Sequence, residues 1–283
     1  MATSETVPFS KSGGLADVVG ALSATLTEMG NEVRIFMPMY SFIEKEGWHK
    51  SLSFLIPMLG TNERAEIYEK EVNGVVYVGL SHPYFSKRLG IYGDTSFQPY
   101  PDNCPRFLCF AKATALYLAA TDWKVDIVHC HDWTTGLIPY YLNYFKVEAK
   151  TVFTIHNLAY QGVFPPFDAI ISSSRIPKSA LRGPKAHENI NMMAAGLLDC
   201  DFITTVSPTY MEEIRESGMG CGLDDILKDR KDDSKGIING IDYNEWNPET
   251  DKDLISNYSV SDLSGKEECK KELLEEFKIK GYD

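Results

Sequence analysis

Short apolar, strand-like runs alternate along this chain with helical stretches, and each strand-like run stops at a polar residue. That alternation specifies a parallel sheet wrapped by helices, because parallel neighbours need a crossover, usually a helix, between them. The runs are Glu32–Met39, Val125–His129, Thr151–Ile155, Phe202–Val206 and Gly236–Asn239. They end at or near Asp132, His156, Ser207 and Asn239, while Ser10 and Lys11 precede the first helix. In an open parallel sheet, ligands sit outside the carboxyl ends of the strands. The pattern therefore predicts a cleft lined by Lys11, Asp132, His156 and Asn239.

The entrance to the first helix is chemically the most specific of these ends. Lys11-Ser12-Gly13-Gly14-Leu15 is a basic, glycine-rich turn opening into a helix over Ala16–Met29, with Leu15, Val18, Val19, Leu22, Leu26 and Met29 on one stripe. Glycines let a ligand approach the backbone, the helix start offers N–H groups, and Lys11 adds a positive charge. A sugar nucleotide's diphosphate, or its sugar, suits such a turn.

Residues 52–80 form short strands, with Asn73-Gly74 turning Ile67–Glu71 back against Val75–Leu80 as an antiparallel insertion beside the main sheet. Residues 84–103 are an aromatic, Gly- and Pro-containing loop before a helix over 105–120. Ser207 caps a helix whose first residue is Pro208. Residues 161–187, with four prolines and several basic residues, form a flap over the cleft. Residues 217–235 form a solvated, mixed-charge surface helix entered through glycines.

The formal charge of −12 excludes a nucleic-acid partner, whose phosphates demand a basic face. No apolar run approaches the ~18 residues of a bilayer span, so no membrane partner is expected. The six cysteines lack CxxC spacing and read as free thiols in a reducing cytoplasm or plastid stroma. His129-Cys130-His131-Asp132 invites a metal reading, but adjacent strand residues point to opposite faces and no metal is assigned.

Several stretches, taken in order, carry a family resemblance: residues 7–22 (VPFSKSGGLADVVGAL), 129–133 (HCHDW), 154–162 (TIHNLAYQG), 204–210 (TTVSPTY), 239–242 (NGID) and 246–248 (WNP). Together they resemble the N-terminal half of bacterial glycogen synthases and plant starch synthases. The resemblance implies a Rossmann-like α/β domain, one half of the two-domain GT-B glucosyltransferase arrangement. It implies retaining transfer of glucose from ADP-glucose to the non-reducing end of an α-1,4-glucan, with no cofactor or metal. His156 would hold the transferred glucose and Asp132 would orient it, as the catalytic pair. Lys11, Gly13, Gly14 and Asn239 would bind the donor, with Asp17 and Tyr92 at the rim.

The resemblance further implies domain bounds of 1–262, with 263–283 a helix leading to a second domain of roughly 200 residues that would carry most of the nucleotide pocket. On that expectation the 283-residue chain alone does not turn over. The same expectation makes the residues before Glu5 a stub of the central strand. Two alternatives share these features. One is another GT-B sugar-nucleotide transferase; the other is a non-catalytic glucan-binding module using Tyr84, Phe85, Tyr92, Phe97, Tyr100 and Phe107 to stack on sugars. A dinucleotide-dependent oxidoreductase is rejected, because no GxGxxG follows a full strand.

Overall fold

The computed structural model describes residues 1–166, 175–182 and 188–281. Helix α1 (Gly14–Glu28) follows the glycine turn and leads to strand β1 (Arg34–Pro38). The chain then makes β2 (His49–Met58), β3 (Thr61–Val72) and β4 (Val75–Ser81). The Asn73-Gly74 turn is as expected: both residues have positive φ, 52° and 79°, the combination that a two-residue hairpin turn needs. Its register pairs Val72 with Val75 and Ile67 with Leu80.

The position of this hairpin corrects the sequence reading. It is not an insertion beside the sheet, since β4 pairs in parallel with β1, from Arg34 opposite Val76 to Pro38 opposite Leu80. A strand has two hydrogen-bonding edges, and β4 gives one to β1 and the other to β3, so the antiparallel strands extend the sheet outward.

On the other side stand β5 (Ile127–His131) and β6 (Lys150–Ile155), then strands Phe202–Thr205 and Ser234–Gly236, all parallel. Two strands end differently from the sequence reading. β5 runs on to His131, and the last strand is Ser234–Gly236 rather than 236–239, although Ile237 N–H still donates to Thr205 O. The first residues join the two halves. Ala2 N–H donates to His129 O, His131 N–H to Ala2 O, Phe36 N–H to Met1 O and Thr3 N–H to Phe36 O, at 2.8–3.2 Å. The carboxyl ends of β1, β5 and β6 consequently share one edge.

Helix α1 buries Leu15, Ala16, Val19 and Ser23, a line rotated slightly from the expected stripe, while Met29 lies past its end and is exposed. After the short helix α2 (Pro83–Ser86), helix α3 (Asn103–Ala120) is buried on most of its surface, against β2 and the helix Ile138–Tyr144. Ser207 caps the helix Pro208–Glu213 as expected, its Oγ accepting from Tyr210 N–H at 3.2 Å. A small antiparallel sheet joins Val163–Phe164 and Leu181–Arg182 to Asn189–Asn191. The rest of the expected flap, 167–174 and 183–187, lies outside the described residues. Among the described residues no helix is long and apolar enough to cross a membrane.

The chain divides into two compact units, Met1–Asn239 and Gly240–Asp283. Residues 240–262 thus group with the terminal helix Ser264–Glu276, where the sequence reading had drawn its boundary after 262. Within that unit Asn257 Nδ2 donates to the carbonyls of Pro248 and Asp251, and Gly265 packs directly on Asn257.

Candidate functional site

A cleft of about 980 Å³ opens at the carboxyl edge of the sheet, within the first unit. Lys11, Gly13, Gly14, Tyr92, Asp132, His156 and Asn239 all line it, so the structure brings together seven of the eight residues singled out by sequence. Asp17 does not line the cleft; it reaches the site through Lys11, whose Nζ donates to Asp17 Oδ1 at 2.6 Å.

The glycine turn is built around a residue that the sequence reading passed over. Glu5 is 3% exposed and lies two residues after the joining residues 1–3. Its carboxylate accepts from Ser12 N–H, from Ser12 Oγ–H at 2.9 Å, from Gly13 N–H at 3.2 Å and from Tyr92 Oη–H at 2.8 Å. The helix-start N–H groups at 12 and 13 are therefore already answered by an acid, which holds Lys11 at the rim. Gly13 and Gly14 need no glycine for local reasons: Gly13 is extended, and a Cβ on either would meet nothing within 4 Å. The room they leave belongs to the cleft.

Tyr92 hydrogen-bonds Ser4 Oγ at 2.7 Å besides Glu5, and its ring lies against Phe107 and Trp133. Burial, reinforced by Glu5, raises its phenol pKa well above the ordinary value. The aromatic platform proposed for 84–110 is mostly core. Phe85 and Phe107 are fully buried, Tyr84, Tyr92 and Tyr100 are half-buried, and Phe97, 94% exposed at the cleft, is the one that faces solvent broadly.

Asp132 sits at the end of β5 with φ 56° and ψ −178°, a region that is close to glycine-only. Its Oδ1 accepts from His156 N–H at 2.8 Å and Asn157 N–H at 3.4 Å, tying the end of β5 to the end of β6. Burial pushes its carboxyl up to about 7, against those two backbone donors. Replacement by glycine relieves the backbone strain that alanine keeps. Asp132→Gly is expected to be about 1 kcal/mol more stable than Asp132→Ala in denaturant titration; equal stabilities would contradict the strain.

His156 faces the cleft and its Nε2 meets His131 Nδ1 at 3.0 Å. His129 stacks on His131, with ring centroids 4.1 Å apart, and its Nε2 meets Thr154 Oγ1 at 2.5 Å. Cys130 between them is fully buried on the opposite face, as strand alternation requires, which separates it from the histidines. Burial lowers the pKa of His156 to about 4, and burial with neighbouring positive charge lowers that of His129 to about 3.

These shifts have a definite sign. Between pH 6.5 and 4 the unfolded chain protonates both histidines while the fold refuses the proton, so their contribution falls as pH drops; Asp132 works in the opposite direction. His129→Asn isolates one histidine: its stability loss from pH 7 to pH 5 should be about 2 kcal/mol smaller than the parent's. Parallel pH profiles for parent and variant would contradict the neutral, buried imidazole.

A family model described as the starch synthase catalytic domain matches residues 1–229. The chain is 39% identical to glycogen synthase 2 of Geobacter sulfurreducens, over 98% of this chain and 59% of that protein. It is 40% identical to a glycogen synthase of Geotalea daltonii, over 95% and 57%. Among solved structures, the catalytic domain of starch synthase IV from Arabidopsis thaliana, bound to ADP and acarbose, superposes with a TM-score of 0.82 at 28% identity, covering all of this chain and 59% of that one. The chain thus spans somewhat under two thirds of the length of these relatives.

Proposed function

Because the chain belongs to the family of starch synthase catalytic domains, we propose that its cleft forms the acceptor-side wall of a retaining glucosyl-transfer site, with ADP-glucose as donor and an α-1,4-glucan as acceptor. The observation that carries this reading is the convergence of Lys11, the Gly13-Gly14 opening and His156 on one cleft at the carboxyl edge of the sheet. Glucosyl transfer builds positive charge on the sugar and negative charge on the departing diphosphate. Catalysis then rests on preorganised donors and cations around the diphosphate and on fixed sugar hydroxyls. Lys11 supplies the cation, the open backbone at 13–14 lets the diphosphate approach, and the neutral His156 imidazole meets the sugar. Asp132 acts one step back, holding the His156 backbone in place. Exposed Phe97 and Tyr160 at the mouth offer apolar faces to an incoming glucan.

Among the described lining residues Lys11 is the one cation, and Glu5, Asp94 and Asp132 bring three carboxyl groups to the same lining. A diphosphate leaving group needs more positive charge, which a second domain would supply across the cleft. Accordingly, saturating ADP-glucose is expected to raise the melting temperature of the 283-residue chain, since a ligand at 100 times Kd stabilises by about 2.7 kcal/mol. The same preparation should extend glycogen with labelled glucose at no more than background rate. Absence of any thermal shift would overturn the donor-site reading, and sustained turnover would overturn the need for further cations. Glycogen retardation in an affinity gel without any ADP-glucose effect would favour a pure glucan-binding module.

A further inference from the structure

Three histidines stand together at the ends of β5 and β6, and the proposed chemistry uses only His156. We propose that His131 is a positioning residue that fixes the His156 imidazole with its proton on Nδ1, so that the cleft receives a neutral N–H donor rather than a lone pair. The inference rests on the reading that His156 meets a sugar hydroxyl, but its structural half stands without it.

His131 is fully buried, and its Nδ1 lies 3.0 Å from His156 Nε2. A neutral imidazole carries one N–H and one lone pair, so exactly one of these two nitrogens carries the shared proton. The other nitrogen of His131, Nε2, is buried with no hydrogen-bond partner among the described residues. His129 does not answer it, because its own Nε2 is directed at Thr154, which in turn meets Thr204 Oγ1 at 2.6 Å. If His131 carried its proton on Nε2, a buried N–H would be orphaned, a rarer arrangement than an under-used acceptor. Protonation at Nδ1 removes that orphan donor. His131 then donates to His156 Nε2, which must accept, and the His156 proton is left on Nδ1.

Protonating His156 would break this arrangement, because its Nε2–H would face the His131 Nδ1–H at 3.0 Å, whereas protonating His131 would leave that bond but place an orphaned N–H on its buried Nε2. Burial opposes that charge: it holds His131 well below the ordinary imidazole range, with His129 and His156 adding to the effect. The backbone of His156 is fixed independently by Asp132. Ring tautomer and ring position are thus set by two different residues, both at the end of β5.

The test is the ring-nitrogen NMR spectrum of the ligand-free protein labelled with 15N-histidine, assigned with His156→Gln. The account expects His156 to show a protonated Nδ1 and an unprotonated Nε2. His131→Asn, whose side-chain amide still donates, should keep that pattern, and His131→Leu should release His156 to the Nε2–H form. A parent spectrum with the proton on His156 Nε2 overturns the proposal, as does an unchanged His156 pattern in a folded His131→Leu variant. The functional half is read by comparing the affinity for ADP-glucose with that for ADP. The extra affinity due to glucose should fall about tenfold, or about 1.4 kcal/mol, in His131→Leu and be retained in His131→Asn. Loss in both variants would mark a merely structural role and overturn the functional half. Absence of ADP-glucose binding by the parent would count against the donor-site reading alone, leaving the tautomer result standing.

Discussion

Replacing Arg106 with leucine is expected to lower the unfolding free energy by about 4 kcal/mol, the range seen when a buried hydrogen-bonded network is broken. Arg106 is completely buried in α3, and its guanidinium binds the loop that walls the cleft. Nε donates to Tyr84 O at 2.9 Å, Nη2 to Ile91 O at 3.0 Å and Nη1 to Asn103 Oδ1 at 2.5 Å. It also lies 4.8–5.3 Å from the ring centroids of Tyr100, Phe85 and Phe107. Leucine fills part of the volume but leaves two carbonyls and an amide oxygen without donors inside the fold. The loop it releases carries Tyr92, Asp94 and Phe97 to the cleft, so ligand affinity should fall together with stability. An unfolding free energy lowered by less than about 1 kcal/mol, at unchanged m-value, would contradict this role of Arg106 in the loop.

Glu5 carries the second large effect. Glu5→Ala strips one acceptor from four donors, two of them backbone N–H groups at the entrance to α1. Hydrogen bonds to a charged group are worth about 1.5–3 kcal/mol each, but Ser12 and Gly13 lie near solvent and regain water. The net expectation is therefore about 3 kcal/mol of lost stability. Glu5→Gln keeps an acceptor oxygen but turns an NH2 group toward a second set of donors, and should lose about half as much. Equal costs for the two variants would show that packing, rather than the acceptor set, explains the role of Glu5.

The contrast between these two residues and the others shows what the sequence makes visible. Parallel strands buried on both faces read as apolar runs, so β1, β5, β6 and the strand at 202–205 stand out, and their polar ends point to the cleft. The Asn73-Gly74 hairpin is legible because positive φ at both positions demands those residue types. The parallel pairing of β4 with β1 is not legible, because a partner 42 residues away in sequence (Arg34 with Val76) leaves no local mark. Arg106 and Glu5 escape notice for the same reason: a charged residue reads as solvated until tertiary contacts show it buried. Glu5 does carry one overlooked signal, its place just after a sheet-pairing segment, where Asp132 and His156 also stand. His131 was misplaced by ending β5 two residues early, which moved it from the sheet into the loop. Once the strand is extended, the alternation in His-Cys-His puts both imidazoles on one face.

The central claim is that one ligand spans the cleft from Lys11 at its diphosphate to His156 at its glucose. Calorimetric titration of ADP and of ADP-glucose against the parent, Lys11→Ala and His156→Ala tests it directly. Lys11→Ala should weaken both ligands alike, by about tenfold or more, whereas His156→Ala should weaken ADP-glucose by about tenfold and leave ADP within about twofold of the parent. Equal losses for both ligands in His156→Ala, or no loss for either in Lys11→Ala, would contradict the claim.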